Sequence, residues 1–309
     1  MKHILTFLIV MFSSFAFSQE KPSVTASELS ITKWIDGTLL NPDSGSKTLA
    51  IIIAGSGPTD RDGNQNFLVT NNLKKLAVAL TNNGIATFRY DKRIVKKIRN
   101  GTMDKNIKFD DFIADAISVV NYFKKQNTYK SIYVIGHSQG SLIGMIAAQE
   151  GKADGFISLA GAGQTIDNVI TDQIEKTAPM FTQDTKRIFG ILKTGQTTTD
   201  FPPALASVFN LDVQPFIANW MQYNPQDEIK KLNIPVLIIN GTKDLQVSVD
   251  EAKLLSEASK NAQLKIIDKM NHVLFIIEGD DQENAKSYNN HAGKVSEELI
   301  NSIVQFIKK

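Results

Sequence analysis

Apolar residues along this chain fall into two alternating patterns. Short unbroken runs, AIIIAG, IYVIG and VLIIN among them, read as parallel strands buried on both faces. Between them, apolar positions recur at helical spacing. In NNLKKLAVALTNNG they are Leu73, Leu76, Ala77 and Leu80, with Gly84 as the stop; in DDFIADAISVVNYFKK they are Phe112, Ile113, Ala116, Val119, Val120 and Phe123. A last amphipathic stretch, KVSEELINSIVQFIKK, carries lysines at its C-terminal end, where they suit the helix dipole. The pattern predicts strands at 30–40, 49–54, 85–90, 131–135, 155–160, 235–240 and 263–268. Strands alternating with helices along the chain predict an α/β fold, a mostly parallel sheet with helices on both faces.

From about 164 to 232 the alternation stops, and helical fragments and the prolines of FPPAL replace any convincing strand. A stretch of that length between two strands predicts a helical lid insertion over one edge of the sheet. The implied organisation is a signal peptide at 1–18, a first core segment at 19–163, the lid at 164–232 and a second core segment at 233–309. Phe181, Phe189, Phe201, Phe209, Phe216 and Trp220 make the insertion apolar. They suit either a pocket for a hydrophobic acyl or aryl group or a small core of the insertion's own.

The start of the chain, MKHILTFLIVMFSSFAFSQE, has a basic residue, an apolar run broken by serines and a small-x-small ending at Ser18. This predicts a secretory signal peptide; the run falls short of the roughly 20 apolar residues a spanning helix needs. With no cysteine in the chain, there is no disulfide framework and no lipid-modifiable thiol. An exported, soluble protein in the periplasm or medium, without a stable membrane anchor, is expected. The net charge of +2, with no aromatic-interleaved basic stripe, gives no reason to expect nucleic acid as a partner. The densest basic stretch, DKRIVKKIRN at 91–100, reads as a solvated loop or helix face.

The candidate chemistry centres on Gly136-His137-Ser138-Gln139-Gly140. It matches G-x-S-x-G between the strand IYVI and the helix-like SLIGMIAAQ. A serine at a sharp strand-to-helix turn tolerates only neighbours without clashing side chains, hence the glycines. The hydroxyl is then held at the sheet edge, beside a helix N-terminus that favours developing negative charge. A serine hydroxyl needs a base to become a nucleophile. Of four histidines, His3 leaves with the signal peptide, and His137 lies inside the elbow, where it packs or bonds locally. His272, just after the strand QLKIID, stands where a loop at the carboxyl edge returns to Ser138; His291 is the rival further on. For the acid, Asp244 follows the buried strand PVLIIN in NGTKD, while Asp250 looks like an N-terminal helix residue and Asp268 lies in or at the end of its strand. Asp244 would accept the Nδ1–H of His272, fixing its tautomer. The order Ser138, Asp244, His272 suits one hydrolase sheet.

An oxyanion needs donors. The N–H of Gln139 is one candidate, and the Gly55-Ser56-Gly57 loop supplies Ser56, or its neighbour, as the other. That loop is not a dinucleotide fingerprint, lacking the third glycine. As a calcium loop, Asp60-Arg61-Asp62-Gly63-Asn64 has its glycine too early, and Asn71 stands where glutamate is needed, so no metal site is expected. Asp60, Arg61 and Asp62 instead suggest an ion-pair network bracing the loop.

Taken together, GSGPTDRDGN at 55–64, RYDKR at 89–93, GHSQGS at 136–141, GTKD at 241–244 and MNHVLF at 270–275 resemble the α/β-hydrolase superfamily. More narrowly, they resemble bacterial carboxylesterases related to the serine aminopeptidase-like branch. The resemblance implies acyl-ester hydrolysis without a cofactor, with Ser138, Asp244 and His272 as nucleophile, acid and base. The chain departs from that pattern after YDKR, where Ile94-Val95-Lys96 stands in place of Gly-x-Gly and the next glycine is Gly101. Three functions are thereby expected in order: a serine esterase acting on a small-molecule acyl ester; a peptidase or amidase on short peptides or aminoacyl amides, which would need a charged group near the lid; and a catalytically silent binding protein. The serine at the elbow disfavours dehalogenase and epoxide-hydrolase chemistry, which require a carboxylate there.

Overall fold

The computed structural model describes residues 24–102 and 106–309. The expected signal peptide lies outside the described residues.

The unbroken apolar runs form the middle of an eight-stranded sheet. Its strands are β1 (Val24–Thr32), β2 (Ile35–Pro42), β3 (Thr48–Ile53), β4 (Ala86–Tyr90), β5 (Ser131–His137), β6 (Gly155–Leu159), β7 (Val236–Gly241) and β8 (Ala262–Ile267). They lie in the order β1-β2-β4-β3-β5-β6-β7-β8, antiparallel at β1–β2 and β2–β4 and parallel thereafter. Period-two alternation splits each central strand between two cores. Leu49, Ile51 and Ile53 of β3 face one; Ala50 and Ile52 face the other. Burying each of these isoleucines contributes about 1.5–3 kcal/mol relative to exposure.

The first core is closed by α3 (Phe109–Gln126) and α4 (Gln139–Glu150), the second by α1 (Asn72–Asn82) and α12 (Glu297–Ile307). Each helix presents the apolar positions its spacing predicts: Leu73, Leu76, Ala77 and Leu80 of α1 are all buried. Gly84 follows α1 with φ +83°, a conformation few other residues adopt at low cost. Further elements are α2 (Arg93–Arg99), α5 (Ile166–Thr177), α6 (Thr182–Lys193), α7 (Ala206–Phe209), α8 (Gln214–Trp220), α9 (Pro225–Lys230), α10 (Val249–Ala258) and α11 (Asp281–Ser287). None of the helices among the described residues is long and apolar enough to cross a membrane.

Two expectations are corrected. The single strand expected at 30–40 is a hairpin, β1 turning at Lys33-Trp34 into β2. The turn carries no glycine, proline or asparagine to mark it. It is held instead by the Trp34 N–H on Thr32 Oγ1 at 3.1 Å and by Ser30 Oγ on Asp36 Oδ1 at 2.7 Å. The basic stretch 91–100 is a solvated face only at its end, 98–100. Arg93 reaches Asp111 and Asp115 of α3, and Lys92 and Lys97 are buried.

Between β6 and β7, residues 164–232 fold as α5 to α9 with two short 3-10 turns and no strand. Their own core gathers Ile188, Phe189, Leu192, Leu205, Phe209 and Ile217, with Phe181, Phe201 and Phe216 packed against it. Most of the segment's aromatics therefore serve its own stability. Trp220 and Phe216 also reach α3: Trp220 stacks on Phe109, ring centroids 5.2 Å apart and 4° from parallel, and Phe216 meets Phe112 at 5.5 Å, so both tie the segment to the sheet's helical layer.

Candidate active site

Ser138 sits between β5 and α4 with φ 55° and ψ −123°, a conformation that costs a non-glycine residue on the order of 1–3 kcal/mol. Its surroundings over-determine the turn. The Ser138 N–H donates to the Leu159 carbonyl at 2.9 Å, and its own carbonyl accepts the Ser141 N–H at 2.8 Å. The flanking glycines are required by close backbone approach: a Cβ at Gly136 would lie 2.2 Å from the Gly140 carbonyl oxygen, and one at Gly140 would lie 2.4 Å from that of Ile53.

Asp244 hangs from the turn after β7 with its side chain fully buried. Its Oδ1 accepts the N–H groups of Gln246 at 2.8 Å and Val247 at 2.9 Å, leaving Oδ2 to accept the Nδ1–H of His272 at 2.8 Å. Both carboxylate oxygens are thus aimed by the fold. The rivals are committed elsewhere: Asp268 accepts Thr242 Oγ1 at 2.9 Å, and Asp250 pairs with Lys253 on the surface.

The turn after β8 carries His272 through two residues in the left-handed region, Lys269 and Leu274. Asn271 anchors it. The Asn271 side chain accepts the Phe275 N–H at 3.0 Å and donates to Asn284 Oδ1 at 2.9 Å and Ser287 Oγ at 2.7 Å, while Asn284 Nδ2 donates to the Lys243 carbonyl at 2.6 Å. This buried amide network joins the Asp244 turn to the His272 turn. His137 adds a second tie, its Nε2–H donating to the His272 carbonyl at 2.8 Å with the two rings 5.0 Å apart. Burial, helped by the neighbouring His272 ring, pushes the His137 pKa down to about 4 and keeps it neutral.

Ser138 and His272 line the same small chamber of about 100 Å³, with Thr59, Gln65, Val273 and Tyr288 among its walls. A second, larger chamber of about 330 Å³ also borders Ser138. Its floor includes Gln139 and Leu142, and α5 and α8 roof it with Val169, Ile170, Ile174 and Trp220. Among the described residues, neither chamber is lined by an aspartate, glutamate, lysine or arginine. His291 is exposed and lines a separate groove of about 920 Å³ that includes none of Ser138, Asp244 or His272.

Ser56 and Gln139 border the larger chamber beside Ser138. The N–H of Gln139 is at the first position of α4, where a helix offers no internal acceptor. The Ser56 loop is pinned by its carbonyl, which accepts Thr59 Oγ1 at 2.6 Å and Gln65 Nε2 at 2.9 Å. Behind it, Arg61 bridges Asp91 and Glu28, and Arg89 binds Asp62 at 2.9 Å. Burial raises the Asp60 pKa; for Asp91 burial acts the same way, but the Arg61 and Arg99 guanidiniums outweigh it and hold the carboxyl low. The expected brace therefore extends to β1 and to the end of β4.

Sequence reading did not find Asn271, Asn284, the role of His137, or Lys92. Lys92 is 2% exposed, with its Nζ on the Gly55 carbonyl, 3.4 Å from Gln139 Oε1 and 5.2 Å from the centre of the Phe112 ring. Burial pushes its pKa down to about 7. Lys92 stands two residues past the end of β4 in extended conformation, just before α2, and the lysines and arginines around it masked it.

Known proteins resemble this chain as follows. The family model described as Serine aminopeptidase, S33 matches residues 70–198, a span that includes the elbow and ends inside the helical segment. Esterase EstD of Thermotoga maritima is 26% identical over 275 residues, covering 86% of this chain and 63% of that protein. A Bacillus subtilis protein described as uncharacterized peptidase YtmA is 27% identical over 150 residues, 47% of this chain and 48% of that one. The chain thus spans less than two thirds of the length of either relative. Among solved structures, Est1E from Butyrivibrio proteoclasticus aligns at a TM-score of 0.57 and 20% identity, over 92% of this chain and 99% of that one. The Pyrococcus furiosus esterase Pf2001 aligns at 0.55 and 16%, over 93% and 91%. At such identities the shared feature is the fold.

Proposed function

With the chain an α/β hydrolase, we propose that it is a serine carboxylesterase in which Ser138 is the nucleophile, His272 the general base and Asp244 its orienting carboxylate. The observation that carries this reading is the 2.8 Å bond from His272 Nδ1–H to a fully buried Asp244, in a chamber that also holds the elbow serine. That bond assigns the Nδ1–H tautomer and leaves Nε2 as the basic nitrogen.

The reaction follows. Ser138 Oγ bonds to the ester carbonyl carbon as its proton passes to His272 Nε2, and the carbonyl oxygen becomes an oxyanion facing the N–H groups of Gln139 and Ser56. The carbon–oxygen bond to the alcohol then breaks as His272 returns the proton to the leaving oxygen. Water, deprotonated by His272, releases the acid and restores Ser138.

Which group goes where follows from the proton. The leaving oxygen must lie beside His272, so the alcohol occupies the small chamber and the acyl or aryl group the larger one, under α5 and α8. In this reading residues 164–232 act as a lid. The absence of charged side chains from the described walls favours an ester over an aminoacyl amide or peptide, whose charged terminus would need a counter-charge. The similarity to Esterase EstD points the same way. Residues 1–18 would direct export, which N-terminal sequencing of the secreted protein checks.

The decisive experiment is a fluorophosphonate label with peptide mapping, run beside aryl esters and aminoacyl anilides. We expect label on Ser138 and turnover of esters but not anilides. Label on a different serine, or none, refutes the mechanism; faster anilide turnover refutes the substrate class.

A further inference from the structure

Lys92 is a cation in the interior, placed where the two candidate oxyanion donors meet. Its ammonium donates to the carbonyl of Gly55 and lies 3.4 Å from the side-chain oxygen of Gln139. The groups around it come from three elements: Gly55 from the loop after β3, Gln139 from the start of α4, and the Phe112 ring from α3. All are uncharged. The charged residues flanking it in sequence face elsewhere, Asp91 to Arg61 and Arg99, Arg93 to Asp111 and Asp115. An unpaired lysine is costly to bury, so its retention calls for a use.

The peptide unit supplies one. The carbonyl that Lys92 holds belongs to the Gly55–Ser56 peptide, and the other end of that unit is the Ser56 N–H. A trans peptide is planar, with C=O and N–H pointing in opposite directions. Fixing the carbonyl end on the far side of the loop therefore sets the direction of the N–H on the near side, where Ser56 lines both chambers with Ser138. A cation on the carbonyl also draws electron density from the amide and makes its N–H a stronger donor. A cation behind the oxyanion, separated by one peptide, stabilises negative charge that exists only in the transition state, and does so in a poorly screened interior.

We propose that Lys92 is a positioning residue for ester hydrolysis: its ammonium orients and polarises the Gly55–Ser56 peptide and steadies Gln139, so that both oxyanion donors are preset. The proposal rests on the serine-esterase reading. It assigns the buried lysine to catalysis where stability alone would favour an apolar residue of the same shape.

The test is Lys92→Met, assayed with an aryl ester and with an aryl trifluoromethyl ketone, whose serine adduct carries a real oxyanion, at about pH 6, a unit below the value near 7 to which burial pushes the ammonium. We expect kcat to fall about 10- to 100-fold, less than the loss of a direct donor, with KM within about threefold of wild type. Affinity for the ketone should fall by the same factor as kcat, while the melting temperature stays level or rises. Unchanged kcat in folded Lys92→Met overturns the proposal, as does a kcat loss that the ketone affinity does not share. If Lys92→Met does not fold, Lys92→Gln, a neutral donor one bond shorter, carries the same test. Fluorophosphonate labelling of wild-type Ser138 separates the two readings: a labelled, active wild type with an indifferent Lys92→Met refutes this inference alone, and an inert wild type refutes both.

Discussion

Replacing Gly136 by alanine should both loosen the fold and slow ester turnover, and the size of each effect can be worked out from the elbow. The added Cβ would stand 2.2 Å from the Gly140 carbonyl oxygen and 2.6 Å from the Gly140 carbonyl carbon and Ser141 Cα, against 3.4 Å for ordinary contact. The shortfall is about 1.2 Å, and every opposing atom is backbone in the first turn of α4, so no side chain can swing aside. Relief requires moving α4 relative to β5, and overpacking of that kind costs about 1–3 kcal/mol. The same shift displaces Ser138 and the Gln139 N–H by about an ångström, enough to lower kcat on the order of a hundredfold. Gly190→Ala is the control. Gly190 lies exposed within α6 with nothing within 4 Å of the added carbon, so there alanine should stabilise by about 0.5–1 kcal/mol and leave kinetics unchanged. Urea unfolding with ester kinetics on the same samples reads both quantities. If Gly136→Ala unfolds at the wild-type urea concentration and keeps kcat within about threefold, the elbow is not closed as described.

Asp244→Asn should leave the protein folded but lower kcat by about 10³–10⁴, because an amide in that place no longer holds the Nδ1–H tautomer of His272; His291→Ala, in the separate groove, should change kcat little. For His137, whose folded pKa of about 4 lies below the ordinary 6.5, the unfolded chain binds more protons between those values. Stability is therefore full above about 6.5 and is lost as pH falls, by about 2 kcal/mol between pH 7.5 and 5. A His137→Asn variant should show a shallower decline in its urea midpoint over that range, and an equal slope would refute the assignment. Filling the larger chamber by Val169→Trp should reduce kcat/KM for long acyl chains more than for acetyl esters, and a uniform loss across a chain-length series would place the acyl group elsewhere.

Much of the sheet was legible because burial on both faces leaves a local record: Ile51, Ile52 and Ile53 must all be apolar when successive side chains enter different cores. The hairpin at Lys33-Trp34 was not, since its turn is held by side chains that other contexts use differently. Most of the aromatics between α5 and α8 were open to two readings until packing resolved them into the segment's own core, with Trp220 kept for the chamber roof.

By itself the sequence determined where the buried parallel strands end, that a serine flanked by glycines stands at one such end, and that an aspartate and a histidine stand at others, because periodicity and turn sterics act over a few residues. Only the tertiary structure decided that Asp244 and His272 meet at 2.8 Å, that Asn271, Asn284 and His137 hold their turns together, and that Lys92 lies behind the Gly55 carbonyl. Those relations join residues far apart in the chain, through hydrogen bonds and burial that depend on how elements stack. A lysine carries the same local signal whether it ends in water or against a buried carbonyl, and the choice belongs to the packing of β3, α3 and α4 around it.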